Sequence, residues 1–364
     1  MPIVPHLKNL LSPTTLLPVF IDRTFIKIVI IALLYALGTY GLGIAFGRDI
    51  SLSAVLYISI VKFTWWGFII GFLVLRFFTV LFFHEHPKSI RWSFLIALKN
   101  DLKFYLYSNR MTRGAFLIAL CLVFFSLFTS AKSMVSVIQP FSWDPLFSEL
   151  DSVIHFGVLP HQILHGLMGG FVTTMILSFF YKFWFIAKFG VVFWQAFSMA
   201  DDKRREHFFI AMILSWVLIG TVGAMVFSSA GPCFYHLVYP DKIDPYASLM
   251  THMGQAHILG MEFEYKSMDH LWERYLDGGV SMFSGISAFP SMHVSLATIF
   301  MLIGWRTNKV MGWFFTVYLI LIQVGSVYLG WHYAVDGYFA IPATMLIWWF
   351  TGKYLVTEKK EVKV

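Results

Sequence analysis

Residues 285–305 read GISAFPSMHVSLATIFMLIGW, and everything after the first few positions has the texture of a membrane-spanning helix. His293 sits near the start of that stretch, and a buried imidazole is costly in lipid. The histidine therefore belongs at the water boundary or beside a dedicated partner, which the rest of the chain has to supply. The same apolar texture covers most of the 364 residues, of which 58% are hydrophobic and 13% charged, with a mean hydropathy of +0.71. A soluble domain carries roughly one-quarter charged residues. The composition predicts an all-α fold, a polytopic membrane helix bundle.

A bilayer core of about 30 Å takes roughly 20 apolar residues per helix. On that ruler eight spans are expected near 24–46, 54–83, 114–130, 163–186, 208–228, 290–305, 311–330 and 335–353. With the N-terminus in the cytoplasm, Lys88, Arg91, Lys99, Lys103, Arg110 and Arg113 share one cytoplasmic loop, Lys203, Arg204 and Arg205 a second, and Arg306 and Lys309 a third. Lys359, Lys360 and Lys363 fall in the tail, so the positive-inside rule puts both termini in the cytoplasm. The first apolar run begins near Thr24 and is long enough to span, so it reads as retained rather than cleaved. Segments 131–162 and 229–289 then face the periplasmic, extracellular or lumenal side. A division follows into a transmembrane and amphipathic region, 1–130, and a catalytic membrane domain, 131–364. Two amphipathic stretches, RWSFLIALKNDLKFYLYSNR (91–110) and FSWDPLFSELDSVIHFGVLP (141–160), read as interfacial helices acting as structural belts.

The formal net charge of +7 does not imply nucleic acid, because the basic residues fall between apolar spans and form no nucleic-acid-binding motif. Cys121 and Cys233 have no neighbour at metal or redox spacing, so neither a metal nor another cofactor is expected. His236, His252, His257 and His270 read as residues of a solvated loop, since their spacing is a poor template for zinc. Lys62 and Arg76 lie within the second span and read as snorkelling side chains or as the sign of a shorter span, rather than as functional charges.

The partner for His293 comes thirty-nine residues later, in GSVYLGWHYAVDGYF (325–339). From His293 the chain crosses, turns at RTNK and returns, so His332 reaches the same membrane face. If HYAVD begins the last helix, His332 and Asp336 share a helical face. The carboxylate then accepts a proton from one ring nitrogen, and the other is left as base or nucleophile. An unpaired Asp336 would be costly there. Pro290 suits the first position of a helix, leaving the N–H groups of Ser291, Met292 and His293 as an anion site to which the Ser291 hydroxyl adds a donor. An imidazolium at His293 can protonate a leaving oxygen while neutral His332 attacks phosphorus.

The motifs AFPSMH (288–293) and HYAVD (332–336) resemble the second and third signatures of the type 2 phosphatidic acid phosphatase superfamily, and in particular its branch similar to inositol phosphorylceramide synthases. SSAGPCFY (228–235) also resembles that branch. The resemblance implies lipid phosphate chemistry through a phosphohistidine, with His332 as nucleophile, Asp336 orienting it and His293 as proton donor. Ser326 stands where the arginine-rich phosphatase members carry an arginine, and no first motif is visible, so the cation that clamps phosphate falls to Arg274 or Lys132. Arg274 is preferred as the better bidentate ligand. The expected reaction is transfer from a lipid phosphate or phosphodiester to a polyol or lipid alcohol acceptor. Hydrolysis of a lipid phosphate or polyprenyl diphosphate is the alternative, and an inactive scaffold a third. A transporter is the reading from another class; the first seven spans carry none of the midplane carboxylates that ion-coupled carriers use.

Overall fold

The computed structural model describes residues 23–50, 54–83, 90–106, 109–199, 202–258, 262–277 and 285–356. Among the described residues all regular structure is helical. The main helices are α1 (Arg23–Ala45), α2 (Ala54–Phe83), α3 (Ile90–Leu106), α4 (Asn109–Ser133), α5 (Asp144–Ile154), α6 (Pro160–Met168) and α7 (Phe171–Phe197). They continue with α8 (Asp202–Val217), α9 (Ala247–Ile258), α10 (Glu262–Asp277), α11 (Met292–Thr307), α12 (Lys309–Tyr328) and α13 (Ala334–Phe350). Each expected span overlaps a helix, with bounds that differ. The stretches 24–45, 110–138, 171–197, 202–226 and 309–328 are long and apolar enough to cross a membrane by length and composition. The protein is an all-α membrane helix bundle.

The physical reason for helices shows in α7. It buries Leu177, Tyr181, Trp184, Phe189, Val192 and Phe193 against the bundle, while Val172, Phe179, Phe183 and Ile186 remain exposed. An apolar surface on both faces suits lipid on one side and protein on the other, and lipid demands that the backbone satisfy its own hydrogen bonds. The expected span 163–186 is displaced, because α6 forms a separate helix that breaks at Gly169 and Gly170 before α7 begins. At Gly169 a Cβ would lie 2.1 Å from the His165 carbonyl oxygen, so the break requires glycine. Further along, α8 widens into a π-helical turn over Leu218–Gly223. There Gly220 and Gly223 let Met292 and Pro290 approach to 3.0 and 3.1 Å of where a Cβ would be, seating the start of α11 on bare backbone.

The two ends of the bundle are built differently. At one, ion pairs join the helices: Lys27 to Glu206 at 2.6 Å, Arg110 to Asp202, and Arg76 Nε to Asp101 Oδ2 at 2.7 Å. Arg76, expected to snorkel, thus pairs with α3 instead. Arg306 donates to His207 Nδ1 at 2.8 Å, and His207 Nε2–H donates to the Trp348 carbonyl at 2.7 Å. Lys88, the tail lysines and the side chain of His257 lie outside the described residues. The other end gathers α5, α6, α9, α10 and the loops that enter α11 and α13. His252 is part of its framework rather than solvated loop: its Nε2 meets Thr174 Oγ1 at 3.1 Å and the Tyr328 hydroxyl at 3.3 Å, tying α9 to α7 and α12.

Candidate active site

After α12 the chain turns at Gly330, whose φ of +81° suits glycine. The N–H groups of Trp331 and His332 then both donate to the Ser326 carbonyl, at 3.0 and 3.1 Å. His332 Nδ1 lies 2.8 Å from the Ala288 carbonyl oxygen and 3.0 Å from Asp336 Oδ2. Both neighbours are acceptors, so the ring proton sits on Nδ1 and the Nε2 lone pair is left over. Asp336 Oδ2 also accepts from the Tyr333 N–H at 3.1 Å. Asp336 is fully buried, the pairing that its sequence position demands.

The His293 ring lies 5.9 Å from that of His332, centroid to centroid. It stacks on Tyr181 at 4.5 Å and packs tilted against Trp184 at 4.2 Å, and Trp184 Nε1 donates to the His293 carbonyl at 3.1 Å. Its Nε2 is buried with no hydrogen-bond partner among the described residues. Two imidazoles thus face each other, one oriented by a carboxylate and the other with an uncommitted nitrogen. The helix start differs from expectation in one detail. Pro290 lies outside the helix and Ser291 is the N-cap, its Oγ accepting from Val294 N–H at 3.4 Å. Ser291 N–H points to the Asp336 carbonyl at 3.4 Å. The N–H groups of Met292 and His293 are the ones that the first turn leaves for an anion.

Of the two proposed cations, the structure brings only Lys132 toward the histidines. Lys132, at the end of α4, lies within electrostatic reach of both rings. Arg274 is exposed and lines an open cleft of about 570 Å³ with Arg48, Ser133, Ser136 and Gly285. Gly285 separates this cleft from the Lys132 backbone, since a Cβ there would fall 2.8 Å from the Lys132 carbonyl oxygen. The group that the sequence reading missed is Lys188 of α7, only 4% exposed. Its Nζ lies 4.8 to 5.4 Å from the ring centroids of Phe189, Phe125, Trp184 and Trp216. No carboxylate pairs with it among the described residues, and its charge reaches His293. A buried ammonium held only by aromatic faces still has room for an anion.

Three loops frame the site through SSAGPCFY. Ser229 accepts from Ala288 N–H through its carbonyl at 2.9 Å and from Phe289 N–H through its hydroxyl at 3.2 Å. Cys233 N–H donates to the Gly330 carbonyl at 3.0 Å. Gly231, at φ +100°, brings its backbone to 2.9 Å from the Trp331 carbonyl oxygen, measured from where a Cβ would stand. Two carboxylates of α5, expected only to face an interface, are buried here. Asp144 accepts from the N–H groups of Ala230 (3.0 Å) and Gly231 (2.7 Å) and from the Tyr333 hydroxyl (2.9 Å). Asp151 accepts from Ala334 N–H at 2.8 Å and Val335 N–H at 2.9 Å. Burial pushes Asp144 above the usual carboxylate range and Asp151 up to about 6, outweighing the hydrogen bonds that favour the ionised forms.

A family model described as the PAP2 superfamily matches residues 146–350, more than half of the chain. The chain belongs to the PAP2 superfamily. The match runs from α5 to the end of α13 and takes in His293, His332, Asp336, Lys188 and Asp151. Neither the comparison with curated proteins nor that with solved structures gave a match. As a PAP2 superfamily member the protein is an enzyme of the lipid phosphatase and phosphotransferase type, acting on a lipid phosphate substrate in a membrane. The transporter reading gives way to that result.

Proposed function

We propose that the protein transfers a phosphoryl-containing group from a lipid to a hydroxyl acceptor through a phosphohistidine on His332, as the resemblance to inositol phosphorylceramide synthases implies. The observation that carries this reading is the double engagement of His332 Nδ1 by Asp336 and the Ala288 carbonyl, opposite an uncommitted His293 nitrogen. His332 Nε2 attacks phosphorus, the P–O bond to the leaving group breaks, and imidazolium His293 delivers its proton to the departing oxygen. The acceptor hydroxyl then gives its proton to neutral His293 and attacks phosphorus, the P–N bond breaks, and His332 is restored. Lys132, Lys188 and the first N–H groups of α11 hold the non-bridging oxygens, with the Ser291 cap fixing the start of that helix. Arg274, in the open cleft, meets the polar headgroup. We assign this chemistry to 131–364 and place the site end on the non-cytoplasmic face, with both termini cytoplasmic, because the lysines and arginines cluster in loops of the opposite end.

What separates transfer from hydrolysis is whether the site positions an alcohol better than water. The test is purified protein with labelled phosphatidate, polyprenyl diphosphate and phosphatidylinositol, with and without inositol or diacylglycerol as acceptor. Transfer predicts that the acceptor captures the group and that acid-labile phosphate is trapped on His332. Free phosphate or a released headgroup as sole product, whatever acceptor is added, would make the protein a lipid phosphatase.

A further inference from the structure

We infer that α5 is a positioning element for the nucleophile: its two buried carboxylates, Asp144 and Asp151, fix the backbone on which His332 and Asp336 stand. This rests on the phosphohistidine reading above. Leu146, Leu150, Val153 and Ile154 face outward from α5 with Glu149, while its two aspartates turn into the bundle. Asp151 offers one oxygen each to Ala334 and Val335, the first two N–H groups of α13. The cap of α13 therefore comes from a different helix, and its charge also suits the positive helix end. Asp144 takes the Tyr333 hydroxyl and, on the opposite side, the amides of Ala230 and Gly231.

Three consecutive residues, 333 to 335, are thus held by α5, immediately after His332 and immediately before Asp336. Neither carboxylate touches the histidine. Asp151 holds backbone N–H groups and Asp144 the Tyr333 hydroxyl of the segment that sets where the ring nitrogen points, and a displacement of about 1 Å at a reacting group can cost roughly 100-fold in rate. Both oxygens of Asp151 are in use, so only the ionised form makes both bonds fully; a proton on one oxygen removes an acceptor. The titratable groups facing it are His155 on α5, Tyr246 from the loop before α9, and Tyr338 and Asp336 on α13. The structure couples the pH of the site end to the geometry of the nucleophile.

The test uses the full chain in detergent micelles with short-chain phosphatidate and phosphatidylinositol, comparing Asp151→Asn, Asp151→Glu and His332→Ala. Asp151→Asn should lower kcat roughly 10- to 100-fold with KM little changed, and flatten the acid side of the wild-type kcat profile. Asp151→Glu, which keeps two acceptor oxygens, should recover part of the rate and the acid limb. If Asp151→Asn does not accumulate, Asp151→Ser, retaining one acceptor, takes its place. Wild-type kcat and pH profile in the Asn or Ser variant, or a rate loss that only tracks lost folded protein, overturns the positioning role provided that His332→Ala is inactive. An active His332→Ala would instead overturn the phosphohistidine reading itself.

Discussion

Helices α3 and α5 look alike in sequence, each short, amphipathic and set between spans, yet they do different work. Asp101 of α3 pairs with Arg76 of α2, side chain to side chain, at the end of the bundle away from the histidines. Asp144 and Asp151 of α5 receive backbone N–H groups from the two loops that build the site. Removing one partner of the largely buried Arg76–Asp101 pair weakens the join between α2 and α3 but leaves the backbone of the site where it is. Removing the acceptor of a buried amide leaves a donor that nothing replaces. An amphipathic helix at one end of this bundle joins spans; at the other it sets the coordinates of a reacting atom.

That contrast can be broken or sharpened by one turnover assay. His332→Ala should take the rate to background, a loss of roughly 10⁴-fold or more, because the covalent route disappears. Lys188→Met, close in volume but uncharged, should lower kcat/KM by roughly 100-fold; an unchanged value would mean that the buried ammonium never meets phosphate. For the wild type, ionised Asp151 dominates above about pH 6 and the protonated form below it. If only the ionised form is competent, kcat should fall roughly tenfold between pH 7 and pH 5, and a flat profile over that range would contradict the coupling. Arg274→Ala should change kcat/KM by about threefold or less, because an exposed guanidinium in an open cleft meets its ligand in water. Smallest of all on turnover, Asp101→Asn should leave the rate within about twofold while costing roughly 1–3 kcal/mol of stability by thermal unfolding. A larger loss of turnover there would erase the difference between the two helices.

The bundle was legible in the sequence because lipid leaves few options: an apolar run of sufficient length must be helical. His332 and Asp336 were legible because four-residue spacing puts them on one face. Lys188 was not, for a specific reason. Drawing the fourth span over 163–186 left Lys188 beyond its end, whereas the break at Gly169 and Gly170 shifts α7 to Phe171–Phe197 and draws the lysine inside. A lysine deep within a span is a functional candidate, so the correct boundary would have put Lys188 among the residues to weigh. Asp144 and Asp151 escaped for a different reason. Amphipathic periodicity marks an apolar side, but it does not say whether the polar side looks at water or at buried backbone. Arg274 was favoured as the better bidentate ligand, but side-chain chemistry does not say which cleft a residue lines, and Arg274 lies in a separate one.

The seven-residue interval between Asp144 and Asp151 is two turns of helix, about 10.5 Å at 1.5 Å per residue. It acts as a spacing bar: the separation between the Ala230 and Gly231 amides and the first turn of α13 is a multiple of helical pitch, independent of loop conformation. One residue inserted between the two aspartates would lengthen the bar by only about 1.5 Å but rotate the second carboxylate by about 100°. Gauge and phase are locked together in this short helix, so substitution along its exposed apolar side should disturb the site far less than any change in its length.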